Sequence, residues 1–173
     1  MKKNILTIIL SFFFIGGLFM TDGRGGNMKI TSSVFEHNKS IPEKYTCEGK
    51  DINPPLQISD VPEGTKSLAL IVDDPDAPGG TFVHWVAFDI PVTNQIAEKS
   101  IPGKQGANDF GRKNYGGPCP PSGTHRYFFK IYALDTTLNL AEGITKSGLE
   151  KAMQGHILAS TELIGLYQKK RLW

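Results

Sequence analysis

Four polar side chains interrupt otherwise apolar strand patterns in this sequence: Asp74, His84, His125 and Tyr127. In a strand, alternate residues share a face. By that period "TKSLALIVDD" (65–74) puts Leu68, Leu70, Val72 and Asp74 together, and "HRYFFKIYAL" (125–134) groups His125, Tyr127, Phe129, Ile131 and Ala133. "FVHWVAFDI" (82–90) groups His84 with Phe82, Val86, Phe88 and Ile90, and sends Val83, Trp85, Ala87 and Asp89 to the other face. Each polar residue lies at or near a strand end, and antiparallel neighbours bring such ends together. The pattern predicts a cluster of Asp74, His84, His125 and Tyr127 at one rim of an apolar core.

Such a cluster suits an anionic ligand. Imidazole N–H and phenol O–H groups donate hydrogen bonds, and a histidine can take up a proton. A neighbouring carboxylate fixes the imidazole tautomer and raises its basicity. Gly116, Gly117 and Gly123 flank the cluster, and glycine lets backbone N–H groups approach an oxyanion. Other chemistries are less well supported. Two histidines and an aspartate invite a metal, yet no HExxH or CxxC spacing is present. Ser122 near His125 and Asp74 invites a hydrolase reading, but there is no G-x-S-x-G elbow. Cys119 is a candidate thiol nucleophile only if it is unbridged. Asp76 reads as a turn cap, Trp85 as packing, Arg126 as half of an outward ion pair, and His37 and His156 as structural.

The elements that must position these residues are mostly strands. "MKITSSVF" (28–35) reads as the first, Pro54-Pro55 lead into a short one at 56–59, and "DPDAPGG" (74–80) is a turn between 65–74 and 82–90. Residues 93–123 are irregular and rich in Gly, Pro and Asn, a length of loop that usually serves a function. The spacing of Leu149, Ala152 and Met153 predicts a helix over 145–156, capped by Ser147 or Thr145, and 159–168 reads as a last strand. The order predicts a mainly β fold, a sandwich with a peripheral C-terminal helix.

The 173 residues suffice for one domain with a real core. Residues 1–27 stand apart. Lys2 and Lys3 precede a 16-residue apolar run, Ile5 to Met20, which reads as a secretory signal. The run is short of the roughly 20 residues a membrane-spanning helix needs. It lacks an Ala-x-Ala cleavage site; Thr21-Asp22-Gly23 is the best substitute. Three outcomes are open: an exported chain with a cleaved signal (periplasmic or secreted), one anchored by residues 5–20, or a cytoplasmic chain translated from Met28. Removing 1–27 takes away three of the 19 basic and one of the 17 acidic residues, which leaves 28–173 neutral. The folded part therefore offers no electrostatic argument for nucleic acid. Cys47 and Cys119 either stay as two loop thiols or pair; a bridge would close about 72 residues and contribute roughly 4 kcal/mol in the chain-entropy account.

The blocks "DPDAP" (74–78), "HW" (84–85) and "GGPCPPSGTHRY" (116–127) closely resemble the signature of the phosphatidylethanolamine-binding protein family. "YTCEG…PPL" (45–56) and "AMQGHILASTELIGLYQ" (152–168) are similar to its bacterial Raf-kinase-inhibitor-like branch. The resemblance covers residues 28–169. It implies a Greek-key β-sandwich with a small pocket for phosphate- or carboxylate-like groups, lined by Asp74, His84, His125 and Tyr127, with Gly117 and Pro121 shaping the rim. It also implies a cis Ala77–Pro78 bond, no metal and no cofactor. The function expected on these grounds is non-enzymatic binding of a small anion or phospholipid headgroup. The alternative is a protein–protein regulator, inhibitor-like towards a kinase or protease, using the same pocket for an acidic or phosphorylated partner side chain. A weak hydrolase is the third reading. A monomer and a dimer are both compatible with the sequence.

Overall fold

Residues 27–170 are described in a computed structural model, so the leader and its processing lie outside the described residues. Nine strands form two sheets among these residues. The smaller sheet has the order β1 (Lys29–Thr31), β3 (Leu56–Ser59), β6 (Gln95–Ile96). The larger runs β2 (Lys39–Ser40), β9 (Ile157–Gln168), β8 (Thr124–Leu134), β4 (Ser67–Asp74), β5 (Phe82–Ile90), β7 (Lys104–Gln105). One helix, α1 (Lys146–Met153), precedes β9. No helix among the described residues is long and apolar enough to cross a membrane.

The two sheets pack as a sandwich. Ile30, Leu56, Ile58 and Ile96 of the small sheet meet Leu68, Leu70, Val72, Phe129 and Ile131 of the large one. The other face of the large sheet is covered by α1, whose Leu149 and Met153 pack on Ala69, Ile71, Val83, Val86 and Phe88. With both faces covered, β4 is buried along its whole length and reads as a continuous apolar run rather than an alternating one. Thr145 caps α1, its hydroxyl accepting from the Gly148 N–H at 3.2 Å, while Ser147 lies inside the first turn.

β4 lies between β5 and β8, antiparallel to both. The three strands singled out in the sequence are therefore neighbours. The faces expected for β4 and β8 hold: Leu68, Leu70, Val72, Tyr127, Phe129, Ile131 and Ala133 all point into the sandwich. The face expected for β5 does not. Val72 pairs with Trp85 while Asp73 pairs with Val83, so His84 is an extra residue opposite one step of β4. This β-bulge turns the side chains of His84 and Trp85 to the same side of the sheet. Beyond it Val86 and Phe88 face α1, and Ala87 faces the sandwich. A second irregularity, between the Leu70–Ala87 and Leu68–Ile90 pairs, contains Asp89 at φ 50° and returns Ile90 to the sandwich face.

The turn after β4 closes through side chains. The Asp74 Oδ1 accepts from the Asp76 N–H at 2.8 Å, and the Gly80 N–H donates to the Ala77 carbonyl at 3.0 Å. The Ala77–Pro78 peptide is trans, which corrects the cis bond expected from the resemblance: these two hydrogen bonds reverse the chain without it. The segment 93–123 contains β6 and β7 and then runs along the edge of β5. The carbonyls of Val83, His84 and Val86 accept from the N–H groups of Asp109, Gly116 and Gly106. Asn108 orders this stretch: its Oδ1 accepts from the Phe110 and Arg112 N–H groups, and its Nδ2 donates to the His84 and Asn114 carbonyls.

Candidate functional site

The ends of β4, β5 and β8 open onto a cavity of 160 Å³. Asp74, His84, His125 and Tyr127 line it together with Pro121, and each of the four is buried. Sites for drug-sized ligands run to roughly 300–1,000 Å³, so this one fits only a small group. A wider groove of 600 Å³ between Gln57–Val61 and Val92–Gln95 offers one carboxylate, Asp60, and no imidazole or buried phenol. Of the two, the smaller cavity brings carboxylate, imidazole and phenol groups together.

Asp74 organises the site from the end of β4. Its Oδ2 accepts from His125 Nδ1 at 2.7 Å, while Oδ1 holds the turn amide of Asp76. With Nδ1 donating to this carboxylate, Nε2 is the ring nitrogen left to face the cavity. His84 is set the same way by a different partner, with Nδ1 donating to the Gly116 carbonyl at 2.7 Å. Burial holds the His84 imidazole below its ordinary range, so it is neutral at pH 7. Tyr127 stands edge-on to His84, ring centroids 5.1 Å apart. Burial, and after it the Asp74 carboxylate, keep its phenol protonated. Among the described residues, the Tyr127 hydroxyl is the one buried side-chain polar atom without a hydrogen-bond partner.

Gly117, expected at the rim, does not line the cavity. Its N–H donates to Asp51 Oδ1 at 2.6 Å, and a Cβ there would sit 2.6 Å from the Tyr45 carbonyl oxygen. The Gly116 N–H is also committed, to the His84 carbonyl. The glycine pair therefore packs the loop and fixes His84 rather than presenting N–H groups to an oxyanion. Asp76 is less a cap than the partner of Arg126, accepting from its Nε at 2.9 Å and holding its own carboxyl at a pKa of about 2. Asp74 performs the capping assigned to Asp76.

Sequence reasoning missed the apolar collar. Phe82 and Phe110 stack edge-on at 4.8 Å, both contact His84, and Ala77, Pro78 and Pro120 complete the rim. Phe110 packs where Gly116 lacks a side chain, since a Cβ there would come within 2.4 Å of its ring. The available signal was a lone aromatic in "GANDFGRKN", a polar, glycine-rich stretch with no other reason to hold one.

A family model described as phosphatidylethanolamine-binding protein matches residues 31–168. The chain belongs to the phosphatidylethanolamine-binding protein family. Its relatives include a UPF0098 protein of Pyrococcus abyssi, 52% identical over 172 residues, covering 93% of this chain and 97% of that protein. The crystal structure of a phosphatidylethanolamine-binding protein homolog from Chlamydia trachomatis matches with a TM-score of 0.80 at 46% identity, covering 83% of this chain and 98% of that one. That of E. coli YbcL, described as a new member of the mammalian PEBP family, matches with a TM-score of 0.77 at 31% identity, covering 83% of this chain and 99% of that one.

Membership of the phosphatidylethanolamine-binding protein family supports a binding role in general terms. Two features of this member bear on the other chemistries. Cys119 is joined to Cys47 in a disulfide and is not a free thiol. Ser122 is exposed and outside the cavity lining. Among the described residues no group of three or more His, Cys, Asp or Glu side chains is disposed to hold a metal.

Proposed function

We propose that this chain is a non-enzymatic binding protein whose cavity takes a small anionic group, phosphate- or carboxylate-like, as found on a phospholipid headgroup. The observation that carries this reading is the Tyr127 hydroxyl, a donor in the cavity wall with no well-aligned protein acceptor, since the nearby Asp74 carboxylate already serves His125 and the Asp76 N–H. An anionic oxygen in the cavity would give that donor an aligned, charged acceptor. The size of the cavity and its collar of Phe82, Phe110 and prolines support the same reading, because excluding water strengthens each remaining polar contact. The family description names a phospholipid, and its headgroup phosphate is of the right class. The disulfide and the leader support export, where such a bridge persists.

Among the described residues no lysine or arginine lines the cavity. Positive charge must therefore come from protonating an imidazole, which makes binding pH-dependent. His84 faces Tyr127 and the Gly116 carbonyl, with the Asp74 and Asp109 carboxylates close enough to favour its charged form, but burial dominates. Its folded-state pKa lies below the unfolded value of 6.5. Without ligand, stability is full above pH 6.5 and falls as the pH drops towards the depressed value, because only the unfolded chain takes up that proton. Anion binding has the matching dependence. Affinity for sulfate, whose charge is constant over this range, rises by up to about tenfold per pH unit as pH falls from neutral, and levels off once free His84 is protonated. Calorimetric titrations at several pH values check this; an affinity flat with pH contradicts it.

The direct test is an NMR titration of the imidazole resonances with inorganic phosphate and, separately, O-phosphoethanolamine. Both His84 and His125 are expected to shift with either ligand at millimolar concentration. A response to the headgroup alone identifies the lipid as the source of the phosphate. No response to either refutes the anion site.

A further inference from the structure

Cys119 is part of the cavity wall. Its partner Cys47 belongs to a different loop, just after the 3-10 turn Glu43–Tyr45, and does not line the cavity. Both cysteines are exposed to solvent. The bridge thus joins the ligand site to a surface loop 72 residues away in sequence, where a reductant can reach it.

We propose that the Cys47–Cys119 disulfide is a redox latch on the anion cavity, opened by thiol–disulfide exchange with a dithiol reductant. Exposed disulfides are the labile and regulatory ones, whereas structural bridges resist reduction. The segment it holds has few other ties. In "GGPCPPSG" the residues Pro118, Pro120 and Pro121 bring no N–H to a hydrogen-bond ladder. Across the gap the Cys47 N–H donates to the Pro118 carbonyl at 3.1 Å, and the Gly117 N–H holds Asp51 one residue earlier. Beyond Pro118 the covalent bridge ties Cys119, and with it the neighbouring cavity walls Pro120 and Pro121, to the loop after Glu43–Tyr45, alongside the burial of Pro120.

The chemistry balances without a further reactant. One thiolate of the dithiol attacks a bridge sulfur, forms a mixed disulfide and releases the other cysteine as thiolate. The second thiol of the reductant then closes its own disulfide and releases the remaining cysteine. Two electrons and two protons pass from the dithiol to Cys47 and Cys119. In the reduced protein the proline wall samples open arrangements, and apparent affinity falls by the fraction that remains closed. An oxidising compartment keeps the latch shut.

This rests on the anion reading above, and the test separates the two. Inorganic phosphate is titrated into the oxidised full chain, the dithiothreitol-reduced chain, the reoxidised chain and Cys47→Ser, with thiols counted by mass spectrometry. The oxidised and reoxidised forms are expected to bind about fivefold or more tightly than the reduced form. Cys47→Ser is expected to match the reduced form and to ignore the reductant. Equal affinity in all forms overturns the latch and leaves the anion site standing. Binding in none overturns both. Loss of dispersed amide resonances on reduction overturns the latch as well, because the bridge is then a staple for the whole fold.

Discussion

Replacing Tyr127 by phenylalanine is expected to weaken phosphate binding while leaving the stability of the ligand-free protein nearly unchanged. The hydroxyl lines the cavity and has no well-aligned partner among the described residues, so removing it breaks at most a poorly aligned contact with Asp74. Its removal leaves the ring packed against His84 and is expected to change unliganded stability by less than about 1 kcal/mol. With phosphate bound, the same hydroxyl donates to a charged oxygen, a contact worth about 1.5–3 kcal/mol. Its loss corresponds to an affinity lower by about tenfold to a hundredfold. Urea unfolding without phosphate and isothermal titration with it measure the two effects separately. A merely structural tyrosine gives the opposite pattern, with lost stability and unchanged affinity.

Asp74→Ala has the largest expected effect on the fold. Both carboxylate oxygens are in use, one by His125 Nδ1 and one by the Asp76 N–H, at a side chain only 4% exposed. Truncation leaves two donors without acceptors, at a cost of about 2–5 kcal/mol in total. It also frees the His125 ring to change tautomer, so phosphate affinity falls with stability. Asp76→Ala, two residues on, is the control. Its partner Arg126 is 53% exposed, and water replaces the lost contact, so a much smaller loss follows. Urea midpoints of the two variants decide the matter: equal midpoints contradict the role given to Asp74. Nitrogen-15 spectra of His125 report the tautomer directly.

Much of the site could be read from the sequence because most of it obeys the strand period. Leu68, Leu70 and Val72 lead to Asp74 without interruption, and Phe129 and Ile131 lead back to Tyr127 and His125. The late helix and the mainly β composition were legible for the same reason, since each buried face repeats at a regular interval. His84 was assigned to the right cluster from the wrong face. Periodicity set it against Trp85, whereas the bulge turns both into the sandwich. A bulge is defined by the partner strand's length, which a single strand's pattern does not contain. Gly117 was misread because a glycine near a site has two uses, close approach of a ligand or close approach of the chain. Here the nearby Tyr45 carbonyl and Asp51 select the second. Phe110 was out of reach because Asn108, which fixes its loop, acts through four side-chain hydrogen bonds with no periodic signature.

The extra residue at His84 also divides β5 into two independent reading frames. Upstream, Phe82 and His84 take their direction from the turn and from the Gly116 carbonyl. Downstream, Trp85 and Ala87 take theirs from the sandwich. A deletion between Val83 and Trp85 would merge the frames and rotate the cavity residues out of the site, even with every side-chain type retained. Substitutions at Ala87 or Ile90, by contrast, stay within the core's own frame. The length of this strand is therefore as much a determinant of the site as the identity of its histidine.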